Sequence, residues 1–341
     1  MTTSGDSVFE ADIRWTSFGV PHVRAADWGG LGFGQGYACA RDHLPAIADQ
    51  VLKVKSERSQ FFGPGPQDAF IGSDFGYRAL DATGRAPALR ESQSDHIREL
   101  VSGYVAGYNR WLQQGRAEGA LPDWCADAAW VRPLDELDLY AYLIDVAMLG
   151  SGRNLAEIIG RAEAPGPDGP AAPSPMEALG AAQASSNGWA FGSDATASGN
   201  GLVLANPHFP WYGEARFWEC HLTIPGALDI YGVSLLGTPG VQMGFNEGLA
   251  WAHTFSNGHR FCVYQLDLIP DAPTSYRHGD TTREMTPAEH EIQVLGDDGS
   301  LSTVGRTLWS THHGPMINLP LVGWVSTRDS ATATPTSTTS P

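Results

Sequence analysis

The sequence predicts an α+β protein. Three observations lead there: helical apolar periodicity confined to the first part of the chain, a proline-rich break over 161–185, and a run of apolar β-type segments after Ser186. At 341 residues the chain is long enough for two domains or one large α+β unit. Hydrophobic residues make up 42% and charged residues 17%, which supplies a core and argues against wholesale disorder.

In chain order, residues 10–26 read as two short strands around the turn "SFGVPHV". A long helical segment is expected from Asp27 to Phe62, ending at "FFGPGPQD". Its opening, "GGLGFGQGYACA", fails the G-x-G-x-x-G spacing of a dinucleotide loop and reads instead as a helix packed closely through its glycines. Residues 95–114 form one apolar helical face through Ile97, Leu100, Val101, Tyr104, Val105, Tyr108 and Leu112. Another helix is expected over Leu134–Leu149, with Asp135 and Glu136 at the positive end of its dipole.

Residues 1–160 therefore form a mainly helical region. Residues 161–185 hold five prolines among Ala and Gly and read as an exposed linker. Residues 186–326 are β-rich, in "SNGWAFG", "GLVLAN", "RFWECHLTI", "LDIYGVSLL", "LAWAHTF" and "FCVYQLDL", with a turn signal at Asn200-Gly201. In the tail, 327–341, 13 of 15 residues are Ser, Thr, Ala or Pro, so disorder is expected. No internal repeat is visible.

The balance of 21 basic against 38 acidic residues gives a net charge of −17 and disfavours nucleic acid and anionic membranes as partners. No run of 18 apolar residues exists to span a bilayer. The opening "MTTSGDSVFEADIRW" lacks the basic and apolar regions of a signal peptide. Cys39, Cys125, Cys220 and Cys262 form no C-x-x-C pair and are expected to be buried free thiols.

The chemistry centres on "SSNGWA", 185–190, where a linker passes directly into a strand at a serine. A serine hydroxyl is a weak nucleophile and needs a base. No G-x-S-x-G elbow is present, which weakens an α/β-hydrolase reading. A second solution is the serine's own α-amine, released by cutting the chain before it. Such an amine titrates near ~7.7–8.0, where a general base works well, and base and nucleophile then share one residue.

Several stretches together resemble the penicillin acylase family of N-terminal nucleophile hydrolases, and within it the aculeacin and acyl-homoserine-lactone acylases. They are "GVPHVRA", "GFGQGYACARDHL", "SNGWAFG", "LANPHFPW" placed with its Asn206 20 residues after Ser186, "FWECHLTIPG" and "GFNEGLAWAHT". S-N-x-W alone is a weak motif; the ordered set is specific. The resemblance spans about residues 10–325.

The resemblance implies the first part of a four-layer αββα sandwich, left incomplete, with a helical α-chain around it. It implies self-cleavage at Ser185–Ser186 by the Ser186 hydroxyl, loss of a spacer, and an α-chain and β-chain of one precursor acting as a heterodimer. Ser185 is the other possible nucleophile, but Asn187 sets the register in favour of Ser186. His208 matches a residue near the nucleophile that helps orient it. Phe255 matches the position whose backbone N–H forms half of the oxyanion hole, and Phe209 an aromatic at the mouth of the acyl pocket. Trp189 reads as core. The implied reaction is hydrolysis of a linear amide, with a small-molecule acyl amide, favouring a fatty-acyl one, as substrate and no organic cofactor.

Calcium-binding relatives carry acidic residues just after the oxyanion segment. Here "SNGHRFCVY" (256–264) is followed by no carboxylate before Asp267, so no metal is expected there. The resemblance also places the asparagine that supplies the other oxyanion donor in a further stretch of β-chain that follows residue 326 in the family. Lack of one such donor lowers rates roughly 10²–10³-fold. Residues 333–340, "ATPTSTTS", can be encoded so that another reading frame continues the family pattern, which makes a frameshift the expectation. Two rival readings stand beside the acylase: an inactive truncated relative, and a secreted β-rich binding module. Relatives are mostly periplasmic or extracellular.

Overall fold

A computed structural model of the chain describes residues 9–166, 185–255, 258, 261–319 and 323–329. Before the proline-rich segment lie strands β1 (Asp12–Trp15) and β2 (Pro21–Arg24), then helices α1 (Trp28–Val54), α2 (Arg58–Phe62), α3 (Ala69–Leu80), α4 (Ala82–Ser92), α5 (Asp95–Glu118), α6 (Glu136–Ala147) and α7 (Ala156–Gly160). After it come β3 (Ser185–Phe191), β4 (Leu202–His208), β5 (Phe217–Ile224), β6 (Leu228–Leu235), β7 (Met243–Phe245) and β8 (Ala250–Trp251). The remaining strands are β9 (Phe261–Tyr264), β10 (Leu268–Ile269), β11 (Ala272–His278), β12 (Thr281–Glu284), β13 (Thr286–Leu295), β14 (Leu301–Ser310), β15 (Met316–Leu319) and β16 (Gly323–Asp329). The α+β class expected from the sequence is what the chain has.

The residues divide into two compact units, and each draws on chain from both sides of 167–184. Each unit therefore mixes chain from the helical and the β-rich regions.

The first unit takes in residues up to 50, 87–140 and 183–256. Its main sheet runs β1-β2-β5-β6-β7-β8, and β2 lies parallel to β5 with His22 opposite His221. The glycines of α1 explain themselves against α5. A Cβ at Gly32 would sit 2.0 Å from the Leu100 carbonyl oxygen, and one at Gly36 2.1 Å from that of Tyr104. Gly103 and Gly107 meet Gly29 and Phe33 of α1 in the same way, at 1.9 and 2.1 Å. Backbone touches backbone, and no flexible side chain can give way. Gly36→Ala should therefore cost about 1–3 kcal/mol through overpacking, read as a lowered urea midpoint; a neutral result would show that the helices can part without loss. Helix α1 bends at His43 (φ −145°), two residues before Pro45, whose ring cannot follow a regular turn.

The second unit takes in 51–86, 141–182 and 257 onward. It carries the sheets β10-β11-β12, β13-β14 and β15-β16-β9. One core cluster holds Phe75, Ile292, Val294 and Leu308; another holds Ala162, Tyr276, Met285, Met316 and Trp324. Helices α3 and α7 cross through glycine, since a Cβ at Gly76 would lie 1.8 Å from the Ala156 carbonyl oxygen.

Asp74 of α3 is fully buried. Burial pushes its carboxyl up to about 6, against hydrogen bonds from Ser59 and Arg58 that pull the other way. The Ser59 hydroxyl lies 2.5 Å from Asp74 Oδ2 and 2.9 Å from the Gln293 carbonyl oxygen. It has one proton for two acceptors, and a proton on Asp74 completes the chain. A raised acid contributes stability that is present below the unfolded value and lost as pH rises through about 6. Asp74→Asn keeps a donor toward Ser59, so its thermal midpoint should vary less than wild type between pH 5 and pH 8; equal slopes would refute the protonated Asp74.

Four sequence expectations need correction. The linker does not start loosely at 161: Ala162 is 2% exposed, and the Asn318 amide clasps the Glu163 backbone at 2.8 and 3.0 Å. An alanine and a main chain are all this docking needs, so composition gave no warning; residues 167–184 lie outside the described residues. The tail does not start at 327: Ser326–Asp329 pair with Tyr264–Phe261, and Thr327 is 2% exposed. Threonine is a strand former whatever its tract; residues 330–341 lie outside the described residues. Cys262 is exposed on β9, whereas Cys39, Cys125 and Cys220 are buried. Trp189, expected in the core, is 45% exposed.

Candidate active site

Ser186 sits in the two-stranded ladder of β3 and β4, which are antiparallel. Ser185 lies opposite His208, Ser186 opposite Pro207, and Asn187 opposite Asn206. The connection between the strands is the long loop 192–201 rather than a tight turn at Asn200-Gly201; it includes Gly199 at φ +70°, a left-handed position that suits glycine.

Alternation gives the hairpin two faces. Ser186, Gly188 and Ala190 share one with Val203, Ala205 and Pro207; Asn187, Trp189 and Phe191 share the other with Leu202, Leu204, Asn206 and His208. His208 reaches the serine through its main chain: its backbone N–H donates to Ser186 Oγ at 3.4 Å. The imidazole turns elsewhere, with Nε2 3.2 Å from Asn187 Nδ2.

The segment after β8 lies across the serine's face. A Cβ at Gly188 would stand 3.7 Å from Thr254 Cγ2 and 4.0 Å from Ala252 Cβ. The chain before it, through the "GFNEGLAW" turn, is tied internally. Asn246 Oδ1 accepts from the N–H groups of Gly248 (2.9 Å) and Leu249 (2.8 Å), and Trp251 Nε1 donates to the Gln242 carbonyl at 2.7 Å. Phe255, at the segment's end, lies with its ring centroid 5.8 Å from that of Phe209, which in turn packs on Phe217 at 4.8 Å. The structure thus gathers Ser186, His208, Phe209 and Phe255 into one neighbourhood. The side chain of Ser185 lies outside the described residues.

Stretches distant in sequence meet elsewhere in the same unit. The Gln35 amide of α1 makes two hydrogen bonds with the Gly240 backbone, at 2.9 and 2.8 Å. Asp42 accepts from Trp218 Nε1 at 2.9 Å, and Arg216 donates to His43 Nδ1 at 2.9 Å. Burial and the Arg216 charge hold the His43 imidazole below its ordinary value, so it stays neutral and accepts that bond. The polar letters inside "GFGQGYACARDHL" are therefore anchors for the sheet. A cavity of about 1090 Å³ borders the hairpin, with Val203, Ala205, Pro207, Met243, Phe245 and Trp251 in its wall. In the sequence Asn187 sets only the register; its contact with His208 has no sequence signal beyond lying in S-N-x-W.

Comparison with known proteins identifies the family to which this hairpin belongs. The penicillin amidase family model matches residues 10–340, running past residue 326, where the sequence reading ends the resemblance. The chain belongs to that family. It is 38% identical over 320 residues to the acyl-homoserine lactone acylase PvdQ of Pseudomonas putida, covering 91% of this chain and 41% of that protein. It is 38% identical over 333 residues to the aculeacin-A acylase of Actinoplanes utahensis, covering 92% and 42%. The chain thus spans about two-fifths of the length of these relatives. Among solved structures, a thermostable penicillin G acylase from Alcaligenes faecalis, in its tetragonal form, aligns with a TM-score of 0.37 at 26% identity, covering 50% of this chain and 100% of that chain.

Proposed function

We propose that the chain is the nucleophile-bearing part of an acylase that hydrolyses a linear N-acyl amide through an autoproteolytically exposed Ser186. The carrying observation is the placement of Ser186 as the second residue of β3, with the His208 N–H on its Oγ at 3.4 Å. In maturation the Ser186 hydroxyl attacks the Ser185 carbonyl carbon, the peptide bond gives way to an ester, and water releases Ser185 as a carboxylic acid. The freed α-amine then accepts the hydroxyl proton as Ser186 attacks the substrate's acyl carbon. The Phe255 backbone N–H holds the oxyanion, and Phe209 lines the mouth of the acyl pocket. Protonation of the leaving amine frees it, and water cleaves the acyl-serine ester.

The names of the relatives support an N-acyl amide, and the apolar part of the cavity wall beside the hairpin, Val203, Ala205, Met243 and Phe245, supports a fatty-acyl chain. The α-chain and β-chain are proposed to remain together as a heterodimer, with 161–185 giving rise to the spacer. The mixed make-up of both units supports this, since each takes strands or helices from both products.

Mass spectrometry of purified protein, with an assay for carboxylic acid released from a long-chain acyl-homoserine lactone, tests the reading. A fragment beginning Ser-Asn-Gly-Trp and release of the acid are the expected results. A chain that stays at 36.5 kDa and releases none sinks it in favour of the inactive relative.

A further inference from the structure

The geometry assigns Asn187 as the positioning residue of the site: its side-chain amide clasps the His208 imidazole, fixes which ring nitrogen bears the proton, and holds the His208 N–H on Ser186. This assignment rests on the proposed role of Ser186.

The argument starts from Pro207. It stands opposite Ser186 in the ladder and has no N–H, so β4 has no backbone donor for the serine at that residue. The next residue, His208, supplies the N–H that reaches Ser186 Oγ, at 3.4 Å, from the last position of the strand. A strand end frays unless something secures it. Asn187 and His208 are diagonal neighbours on one face of the hairpin, and their side chains meet at 3.2 Å. The clasp therefore spans the two strands one residue beyond the Ser186–Pro207 pair on each chain, just where the ladder lacks a donor.

The clasp also has a sign. An amide nitrogen only donates, so His208 Nε2 must accept and carry no proton. The neutral ring then bears its proton on Nδ1. The partner of one ring nitrogen sets the state of the other, and here the partner is a residue that belongs to the nucleophile's own strand.

Long-range ¹H–¹⁵N correlation of the histidine rings reads this directly. The His208 signals are identified by their loss in His208→Gln. In wild type at a pH where the ring is neutral, Nε2 should show the shift of a bare nitrogen and Nδ1 that of a protonated one. Asn187→Ala should release the ring to the Nε2–H form, and the near-isosteric Asn187→Asp should do so more completely, because a carboxylate accepts from Nε2–H. Both variants should form the Ser186-starting fragment about 10- to 100-fold more slowly, as small misplacements of reacting groups do. A protonated Nε2 in wild type, or an Nδ1–H form that persists in Asn187→Ala, overturns the assignment. The wild-type reading needs no cleavage and, beyond the His208→Gln assignment, no variant at Asn187. A chain uncut at 185–186 with a bare Nε2 would thus sink the proposed function while the clasp stands, and a cut chain with a protonated Nε2 would do the reverse.

Discussion

Ser186→Ala should leave the chain whole at 36.5 kDa and abolish hydrolysis of acyl amides. The expected loss is large because the residue has three duties in the proposed mechanism: it opens the peptide bond, attacks the substrate, and supplies the base. Removal of a nucleophile that works as a unit with its base costs about 10⁴–10⁶ in rate. The register of the hairpin separates this serine from its neighbour. Ser185→Ala should still be cut, since the 3.4 Å contact from the His208 N–H falls on Ser186 Oγ. Ser186→Cys should keep cleavage, because a thiol can make the same attack on the carbonyl. Intact-mass measurement over time reads all three. A Ser186→Ala chain that yields the same fragment as wild type would mean that the bond is broken by something else, and the α-amine mechanism would fall.

The parts of the fold that the sequence reveals are those where one face decides the element. Helix α5 is legible because Leu100, Val101, Tyr104, Val105, Tyr108 and Leu112 are all buried in one stripe. The glycine-rich opening of α1 is legible as close packing because four positions on the two helices allow backbone contact. Helix α4, "ATGRAPALRES", is not legible: it has two buried residues, Ala82 and Ala86, and a proline inside. The expected single helix to Phe62 breaks between Val54 and Arg58, where Ser56 takes a left-handed φ of +60° that no local pattern announces. At the site, the motifs placed Ser186, His208, Phe209 and Phe255 together. They could not show that the His208 imidazole sits on the opposite face from the serine. That follows from pairing register, which is a long-range property. Trp189 is on that same face, which explains its exposure.

Asp145→Asn should destabilise the protein by about 3–5 kcal/mol, the usual cost of taking one partner from a buried ion pair. Asp145 of α6 is fully buried, and Lys53 at the end of α1 is 3% exposed. Lys53 Nζ stands 2.9 Å from Asp145 Oδ2, and Arg153 Nη1 stands 3.4 Å from the same oxygen. The Tyr77 hydroxyl donates to Oδ1. Burial raises the Asp145 carboxyl, but the two cations outweigh it and hold the group below the ordinary carboxylate range. Lys53 and Arg153 share one carboxylate oxygen, and burial pushes Lys53 down to about 7 even with Asp145 beside it. An amide at 145 would remove the carboxylate oxygen that Lys53 and Arg153 share, which favours loss of the Lys53 proton or opening of the cluster. Lys53→Met should cost less, because Arg153 remains to pair with the carboxylate. The sign of the pH effect follows from the lysine. Between about pH 7 and its unfolded value near ~10.4, the unfolded chain binds that proton more tightly than the folded one. Wild-type stability therefore gains from this group as pH rises through that window, and Lys53→Met should flatten the rise. Urea denaturation at several pH values measures both effects; a loss under 1 kcal/mol in Asp145→Asn would show that the carboxylate does not hold the cluster together.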